Sequence, residues 1–335
     1  MGHAGVVTLT RPKALNALTG EMVCALAAAL EAWEKDDAIR LVLVKGEGRA
    51  FCAGGDILQV YQAGRAQKHP VGFFADEYRM NVQLARFPKP YIALIDGIVM
   101  GGGVGISVHG SHRVMTQNAV IAMPEVGIGF FPDAGGSYIL PRLPGGFGAY
   151  MALTGNRVGP GDALACGLAT HIVRAEKQQE LVGALIDSDN VEAILKQFHA
   201  QILPETDDAT FLAIERHFTQ TSLKAVLASL KEQADSGDAF SEKTLATILS
   251  RSPTSLAVTW SALTQGARLS MEACMSMEFR IANRMLEGHD FYEGIRAVLV
   301  DKGSTPDWRP VKLDDVGEAA VAAYFAPLGE KELVL

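Results

Sequence analysis

The sequence is long enough for two domains and has the composition of a globular protein. Its 335 residues are 48 % hydrophobic and 20 % charged, and the formal net charge is −8 at pH 7. Because no long basic tract accompanies this negative balance, a broad nucleic-acid-binding surface is not expected, although one basic pocket could still hold a small phosphorylated ligand.

Strand and helix patterns alternate in the first half of the chain. Short apolar runs predict strands that are buried on both faces, at residues 6–9, 41–44, 91–95 and 113–116. An apolar stripe from Met22 to Trp33 predicts a helix with Thr19 as its N-cap. A second helix, over residues 73–86, should end before Pro88. This alternation of strands and helices implies parallel pairing of the strands.

Helical patterns dominate after about residue 175. Apolar residues recur at helical spacing from Leu223 to Leu230, behind a candidate N-cap at Ser222. This stripe could pack on the protein's own core or form a subunit contact. A further helix, over residues 273–287, should end at Gly288. We therefore expect an α/β region over residues 1–190 and a helical region over residues 191–335.

Glycine is concentrated in the first half, where residues 1–167 hold 26 of the 34 glycines. Two clusters follow predicted strands, FCAGGD at 51–56 and MGGGVG at 100–105. Small residues at the end of a strand leave backbone N–H groups accessible to a ligand. The second cluster does not fit the dinucleotide fingerprint G-x-G-x-x-G, and the chain has neither a Walker motif nor a G-x-S-x-G elbow.

Two carboxylates stand in an otherwise uncharged stretch, AMPEVGIGFFPDAGG at residues 122–136. Desolvation there would raise the pKa of a carboxyl group toward the range used in acid–base catalysis. Glu125 is the best candidate catalytic residue, because its apolar neighbours argue against a surface turn. Asp133 could also cap a helix over residues 134–140. By pattern alone, Glu77 on the second predicted helix is a solvated residue.

The cysteine spacing predicts a reducing compartment. No C-x-x-C motif connects the four cysteines, so neither a disulfide framework nor a zinc ribbon is expected. His109 and His112 lack the glutamate of H-E-x-x-H, and no metal site is predicted. No signal peptide or membrane span is recognised. These features favour a cytoplasmic protein without nucleic-acid or membrane partners.

Five stretches together resemble the crotonase, or enoyl-CoA hydratase/isomerase, superfamily. They are RPKALNALT (11–19), FCAGGDI (51–57), MGGGVGISVHG (100–110), AMPEVGIGFFPDAGG (122–136) and GHDFYEGIRAVLVDK (288–302). The paired PE and FPD motifs and the last stretch resemble a hydrolase branch of the superfamily. The resemblance implies a crotonase-like spiral of ββα units followed by a helical C-terminal region. It also implies an acyl-CoA substrate, no cofactor beyond the coenzyme A in that substrate, and a homo-oligomer as one option.

The same resemblance assigns site residues by motif position. The backbone N–H groups of Ala53 and Gly102 would form an oxyanion hole for the thioester oxygen. Substrate contacts are implied for Glu77, Gly102, Glu125 and Asp133. Glu125 would act as nucleophile or general base, and Asp133 would orient the 3-hydroxyl group and the leaving thiol. Either Arg11 and Lys13 lie near the CoA phosphates or they are ordinary surface charges.

Position 105 distinguishes hydrolysis from hydration in this comparison. Hydratases of the superfamily resemble one another in having a glutamate here, whereas this chain has Gly105. We therefore expect hydrolysis of a 3-hydroxyacyl-CoA thioester, with 3-hydroxyisobutyryl-CoA of valine breakdown as substrate. The alternatives are an enoyl-CoA hydratase or isomerase of the same fold and an inactive acyl-CoA-binding protein.

Overall fold

The computed structural model describes residues 2–68 and 70–335. Its strands are β1 Ala4–Leu9, β2 Leu41–Gly46, β3 Ala50–Cys52, β4 Tyr91–Ile95, β5 Ile98–Met100, β6 His112–Thr116, β7 Val120–Ala122 and β8 His171–Val173. Its first eight helices are α1 Gly20–Lys35, α2 Ile57–Arg65, α3 Val71–Ala85, α4 Gly102–Val108, α5 Gly136–Ile139, α6 Phe147–Thr154, α7 Pro160–Ala165 and α8 Gln178–Asp187. The remaining helices are α9 Val191–Phe198, α10 Asp208–Phe218, α11 Leu223–Asp235, α12 Ala239–Leu249, α13 Pro253–Gly266, α14 Met271–Met285, α15 His289–Ile295 and α16 Glu318–Phe325.

The strands form two parallel sheets, one in the order β1-β2-β4-β6-β8 and one in the order β3-β5-β7. The consecutive pairs β2 and β3, β4 and β5, and β6 and β7 each contribute one strand to each sheet. In the larger sheet, Val42 lies opposite Tyr91, and Ile92 lies opposite His112. A helical segment follows each strand pair, so the path is the spiral of ββα units that the sequence predicts.

The central strands of the larger sheet are apolar and buried on both faces. All five residues of β4 and the first four of β2 are buried. Parallel strands of this kind have continuous apolar sequences rather than alternating ones. Part of this sheet packs against α8 and α9 in one apolar cluster, which includes Leu41, Leu43, Ile92, Leu94, Leu181, Leu185 and Leu195.

The N-caps predicted at Thr19 and Ser222 are confirmed. Thr19 Oγ1 accepts the Met22 N–H at 3.3 Å, and Ser222 Oγ accepts the Ala225 N–H at 3.1 Å. Each bond satisfies a donor that the first turn of a helix leaves without an intrahelical partner. The buried face of α11 consists of Leu223, Val226 and Leu230. The amphipathic stripe therefore packs on the protein's own core.

The chain divides into two compact units, each built from three segments. The first contains Met1–Asp56, Asp76–Ala122 and Arg157–Glu205, and it holds all the strands that the structure describes. The second contains Ile57–Ala75, Met123–Asn156 and Thr206–Leu335, and its regular structure is helical. The sequence-based boundary near residue 190 instead divides the chain only once. Among the described helices, none combines the length and apolarity needed to cross a bilayer.

Candidate active site

The first glycine cluster forms a loop after β3, in the first unit. Gly54 has φ = 106°, a conformation that favours glycine. A Cβ on Gly54 would lie 3.3 Å from the Met100 carbonyl oxygen, and a Cβ on Gly103 would lie 2.2 Å from the Cys52 carbonyl oxygen. The start of α4 therefore packs backbone against backbone on this loop.

Hydrogen bonds decide which amides of the loop are available to a ligand. The Ala53 N–H donates to the Leu15 carbonyl at 3.0 Å. Leu18 pairs with Gly55 as an isolated parallel bridge, in which the Asp56 N–H donates to the Leu18 carbonyl at 2.8 Å. Across residues 2–68 and 70–335, no acceptor is found for the Gly55 N–H. This corrects the assignment of Ala53 as an oxyanion donor, because its amide is already engaged.

Gly102 and Glu77 lie side by side in the first unit. Gly102 is the first residue of α4, where a backbone N–H has no intrahelical acceptor. A Cβ on Gly102 would lie 2.2 Å from Glu77 Oε1 and 3.3 Å from Leu18 Cδ1. Glu77 is only 2 % exposed, so the prediction of a solvated residue is wrong. The carboxylate is instead buried beside Gly102, and the substrate contact that the family resemblance implies for Glu77 stays a prediction.

Cys52 does not add a nucleophile to this group. Burial raises the pKa of its thiol to about 12, and the negative charge of Glu77 acts in the same direction. The reactive form of cysteine is the thiolate, which such a pKa makes scarce at neutral pH. All four cysteines of the chain are free thiols.

Arg11 stabilises the glycine loop. Its guanidinium donates to Asp56 Oδ2 at 2.9 Å and to the Ala17 carbonyl at 2.5 Å. These bonds tie the end of the loop to the RPKALNALT stretch. Arg11 therefore has a structural role in the loop that neither of the two roles considered for it describes.

Glu125 lies in the second unit, at the start of a 3-10 turn over Glu125–Ile128. Gly129 ends the turn with φ = 70°, and the Phe130 N–H donates to the Glu125 carbonyl at 3.0 Å. The Glu125 residue is 7 % exposed. The candidate carboxylate is therefore buried, and the alternative of a surface turn is wrong.

The C-terminal GHDFYEG motif packs directly against this turn. A Cβ on Gly129 would lie 2.0 Å from the Asp290 carbonyl oxygen, and a Cβ on Gly294 would lie 2.3 Å from the Ile128 carbonyl carbon. The two backbones meet without intervening side chains. The motif therefore supplies a platform for the Glu125 turn.

Asp290 fixes the platform in place. Its carboxylate accepts the Ser252 hydroxyl at 2.6 Å and the Arg309 N–H at 2.8 Å. The Ser252 N–H donates to the Val126 carbonyl at 3.3 Å, within the Glu125 turn. Burial raises the pKa of Asp290. One serine thus connects the turn to the platform.

Asp133 is buried just before α5, but it is not the N-cap residue of that helix. The helix begins at Gly136 with Gly135 as its N-cap, and no side chain makes a capping bond from that position. The prediction of an N-cap at Asp133 is therefore wrong. A residue from a distant part of the chain stabilises this helix end.

That residue is Glu278 of α14, which sequence reasoning missed. It is fully buried and accepts the Gly135 and Ser137 N–H groups, each at 2.9 Å. Burial raises its pKa to about 8, and the charge of Asp133 contributes in the same direction. A sequence signal did exist, because Glu278 follows Cys274 by four residues on the otherwise apolar face of the helix.

Residues 4–325 match the family model described as enoyl-CoA hydratase/isomerase. The chain belongs to the enoyl-CoA hydratase/isomerase family. A Xenopus tropicalis relative named "3-hydroxyisobutyryl-CoA hydrolase, mitochondrial" is 44 % identical and is aligned over 100 % of this chain and 89 % of its own length. A Homo sapiens relative of the same name is 40 % identical, over 99 % of this chain and 88 % of its own length.

Solved structures of this enoyl-CoA hydratase/isomerase family share the fold. A structure described as a carnitinyl-CoA dehydratase from Mycobacterium thermoresistibile has a TM-score of 0.92 and 43 % identity, and the match covers 99 % of this chain and 96 % of that one. An enoyl-CoA hydratase from Rhodobacter sphaeroides 2.4.1 has a TM-score of 0.88 and 37 % identity, covering 99 % and 97 %. The predicted crotonase-like α/β fold is confirmed.

The predicted cytoplasmic location is wrong, because the relatives of this family member are named as mitochondrial proteins. Free cysteines indicate a reducing compartment but do not say which one. Among the residues that the structure describes, no group of three or more His, Cys, Asp or Glu side chains is placed to hold a metal ion.

Proposed function

We propose that this protein hydrolyses a 3-hydroxyacyl-CoA thioester, with 3-hydroxyisobutyryl-CoA as the substrate. The observation that carries the proposal is Gly105, buried in α4 at the position where the hydratases it resembles have a second catalytic glutamate. Water addition to a double bond uses two carboxylates beside that water, whereas thioester cleavage can proceed with one. The names of the curated relatives support the same activity.

The backbone amides of Gly55 and Gly102 are the oxyanion donors in this proposal. Attack on a thioester carbonyl places negative charge on its oxygen, and fixed N–H donors stabilise that charge in the transition state. The Gly55 amide has no protein acceptor in the described chain, and the Gly102 amide opens a helix. Glycine at both positions lets the carbonyl approach the main chain closely. Glu77, beside Gly102, is a further proposed substrate contact.

Glu125 performs the chemical step. As a general base it takes a proton from water, the water oxygen bonds to the carbonyl carbon, and the carbon–sulfur bond breaks. As a nucleophile it forms a mixed anhydride with release of CoA thiolate, and water then hydrolyses the anhydride. Asp133 orients the 3-hydroxyl group and the leaving thiol. Both routes yield the 3-hydroxy acid and, once the thiolate is protonated, free CoA.

Thiol release tests this function. The wild-type protein should release thiol from 3-hydroxyisobutyryl-CoA faster than from isobutyryl-CoA, and a metal chelator should not change the rate. Glu125→Gln should abolish release, whereas the exposed control Glu176→Gln should retain it. Full activity of Glu125→Gln would contradict the assignment.

An enoyl-CoA hydratase is the second candidate, favoured by the name of the Rhodobacter sphaeroides structure that matches at 37 % identity. Loss of enoyl absorbance from crotonyl-CoA without thiol release would select it. Tight calorimetric binding of 3-hydroxyisobutyryl-CoA without turnover would instead select an inactive binding protein.

A homo-oligomer built through the C-terminal helices stays a prediction of the family resemblance. Sedimentation equilibrium over a range of protein concentrations measures it directly. A mass equal to that of one chain at all concentrations would contradict it.

A further inference from the structure

We propose that Glu278 is a positioning residue. It holds the turn over residues 133–136, called the Asp133 turn, in the conformation in which Asp133 contacts the substrate. The inference rests on the proposed function only in treating Asp133 as a residue that contacts substrate. Glu278 itself belongs to none of the motifs that define the candidate site.

The Glu278 carboxylate accepts hydrogen bonds from Gly135, which lies in the turn, and from Ser137, which follows the turn. Oε2 accepts the Gly135 N–H, and Oε1 accepts both the N–H and the hydroxyl of Ser137, at 2.9, 2.9 and 2.5 Å respectively. Asp133 lies two residues before Gly135, and the Gly136 N–H donates to its carbonyl at 2.8 Å. The position of Asp133 thus depends on a helix end that Glu278 anchors.

A carboxyl group fits this place better than a neutral isostere. Both oxygens accept hydrogen bonds in the ionised form, and the hydroxyl oxygen of the protonated form also accepts. The amide nitrogen of glutamine cannot accept, so one of the two backbone N–H groups would face another donor. Leaving a buried donor without its partner is destabilising.

The charges of the Glu278 and Asp133 carboxylates also interact. The charged or titratable groups around it are Asp133 before α5, Cys274 one turn earlier on α14, and Arg142, which acts on Cys274 from the turn after α5. Arg142 donates to the Tyr138 and Gly266 carbonyls. Ionisation of Glu278 therefore adds a second negative charge beside Asp133.

The pH profile separates this role from general stability. Because the pKa of Glu278 is raised to about 8, the wild-type kcat should fall as the pH rises through that value. The added negative charge opposes the negative charge that develops on the substrate. The hydrogen bond from Ser137 lowers this pKa, so Ser137→Ala should move the fall in kcat to higher pH.

Glu278→Gln supplies the decisive comparison. We expect a loss of about 10²-fold in kcat, because a displaced reacting group has an effect of that size, with KM changed by less than about 3-fold. The fall near pH 8 should disappear. Glu332→Gln is the matched control, since Glu332 pairs with Arg280 of the same helix and makes no bond to the Asp133 turn. The control should keep the wild-type kcat and pH profile.

Hydrogen exchange keeps the test independent of the assigned reaction. The peptide over residues 133–139 should exchange faster in Glu278→Gln and in Ser137→Ala, but not in the control. Unchanged exchange, or a pH profile unaltered in both variants, would overturn the inference. If the wild-type protein released no thiol, the proposed hydrolase would fail, and exchange would still decide whether Glu278 holds the turn.

Discussion

Gly102 leaves little room for a side chain. Gly102→Ala would place a Cβ 2.2 Å from Glu77 Oε1 and displace either the carboxylate or the first turn of α4. We expect thiol release to fall by about 10²-fold, the typical effect of losing one oxyanion donor. Gly72→Ala near the start of α3 is the control, because nothing lies within 4 Å of its added Cβ. Equal activity in the two variants would contradict the role of Gly102.

The choice between Gly55 and Ala53 can be measured at the individual amides. Binding of an unreactive acyl-CoA thioether ketone should move the proton resonances of the Gly55 and Gly102 amides downfield. The Ala53 amide should not respond, because it already donates to the Leu15 carbonyl. A response of Ala53 without Gly55 would restore the sequence-based assignment.

Sequence patterns identify some of these residues and not others, for physical reasons. Glu125 stands out as a charge among apolar neighbours, and the structure shows that this residue is buried. The difference between Ala53 and Gly55 depends on which amide bonds to Leu15, a contact between separate segments. Glu278 is hydrogen-bonded to a residue 143 positions away, and no local pattern records such a distance.

Elements with long periodic patterns are the ones that sequence predicts well. The helix α1 and the strand β4 have extended apolar patterns and recognisable ends. The strands β3, β5 and β7 have three residues each, which is too short for a periodic pattern. Their pairing in a second sheet emerges only from the tertiary structure.

The contact between α15 and the Glu125 turn makes a further prediction. Gly294→Ala would place a Cβ 2.3 Å from the backbone of Ile128, which cannot rotate away as a side chain could. We expect destabilisation of about 1–3 kcal/mol from overpacking and a clear loss of thiol release.

Gly317→Ala is its control, since its added Cβ meets nothing within 4 Å. Urea unfolding gives the stability of both variants, and the thiol assay gives their activity. If Gly294→Ala had the stability and activity of the wild type, close packing of α15 on the Glu125 turn would be ruled out.

For the whole molecule, histidines in both units predict a loss of stability in mild acid. Burial lowers the pKa of His171, which also lies near His112 and His199. Burial likewise lowers the pKa of His217, whose ring is 2.8 Å from Ser229 Oγ. The unfolded chain then binds more protons than the folded one, so the free energy of unfolding falls as the pH drops through about 6.5.

Variants of His171 and His217 separate the acid effect of these histidines from the effects of other titrating groups. Glu278 acts in the opposite sense, because its raised pKa makes stability fall as the pH rises from about 4.5 toward about 8. Urea unfolding at pH 7.5 and 5.5 should show a smaller acid loss in His171→Asn and in His217→Gln than in the wild type. An equal loss in all three proteins would contradict the assignment.

The segmented second unit has a consequence for biosynthesis. The ribosome completes the Glu125 and Asp133 turns long before it makes α14 and α15, against which those turns pack. A nascent chain that ends near residue 205 would carry both carboxylates without their anchors. Catalytic competence should therefore appear only after the last helices have been translated, and release of truncated chains should yield inactive protein however well the strands have paired.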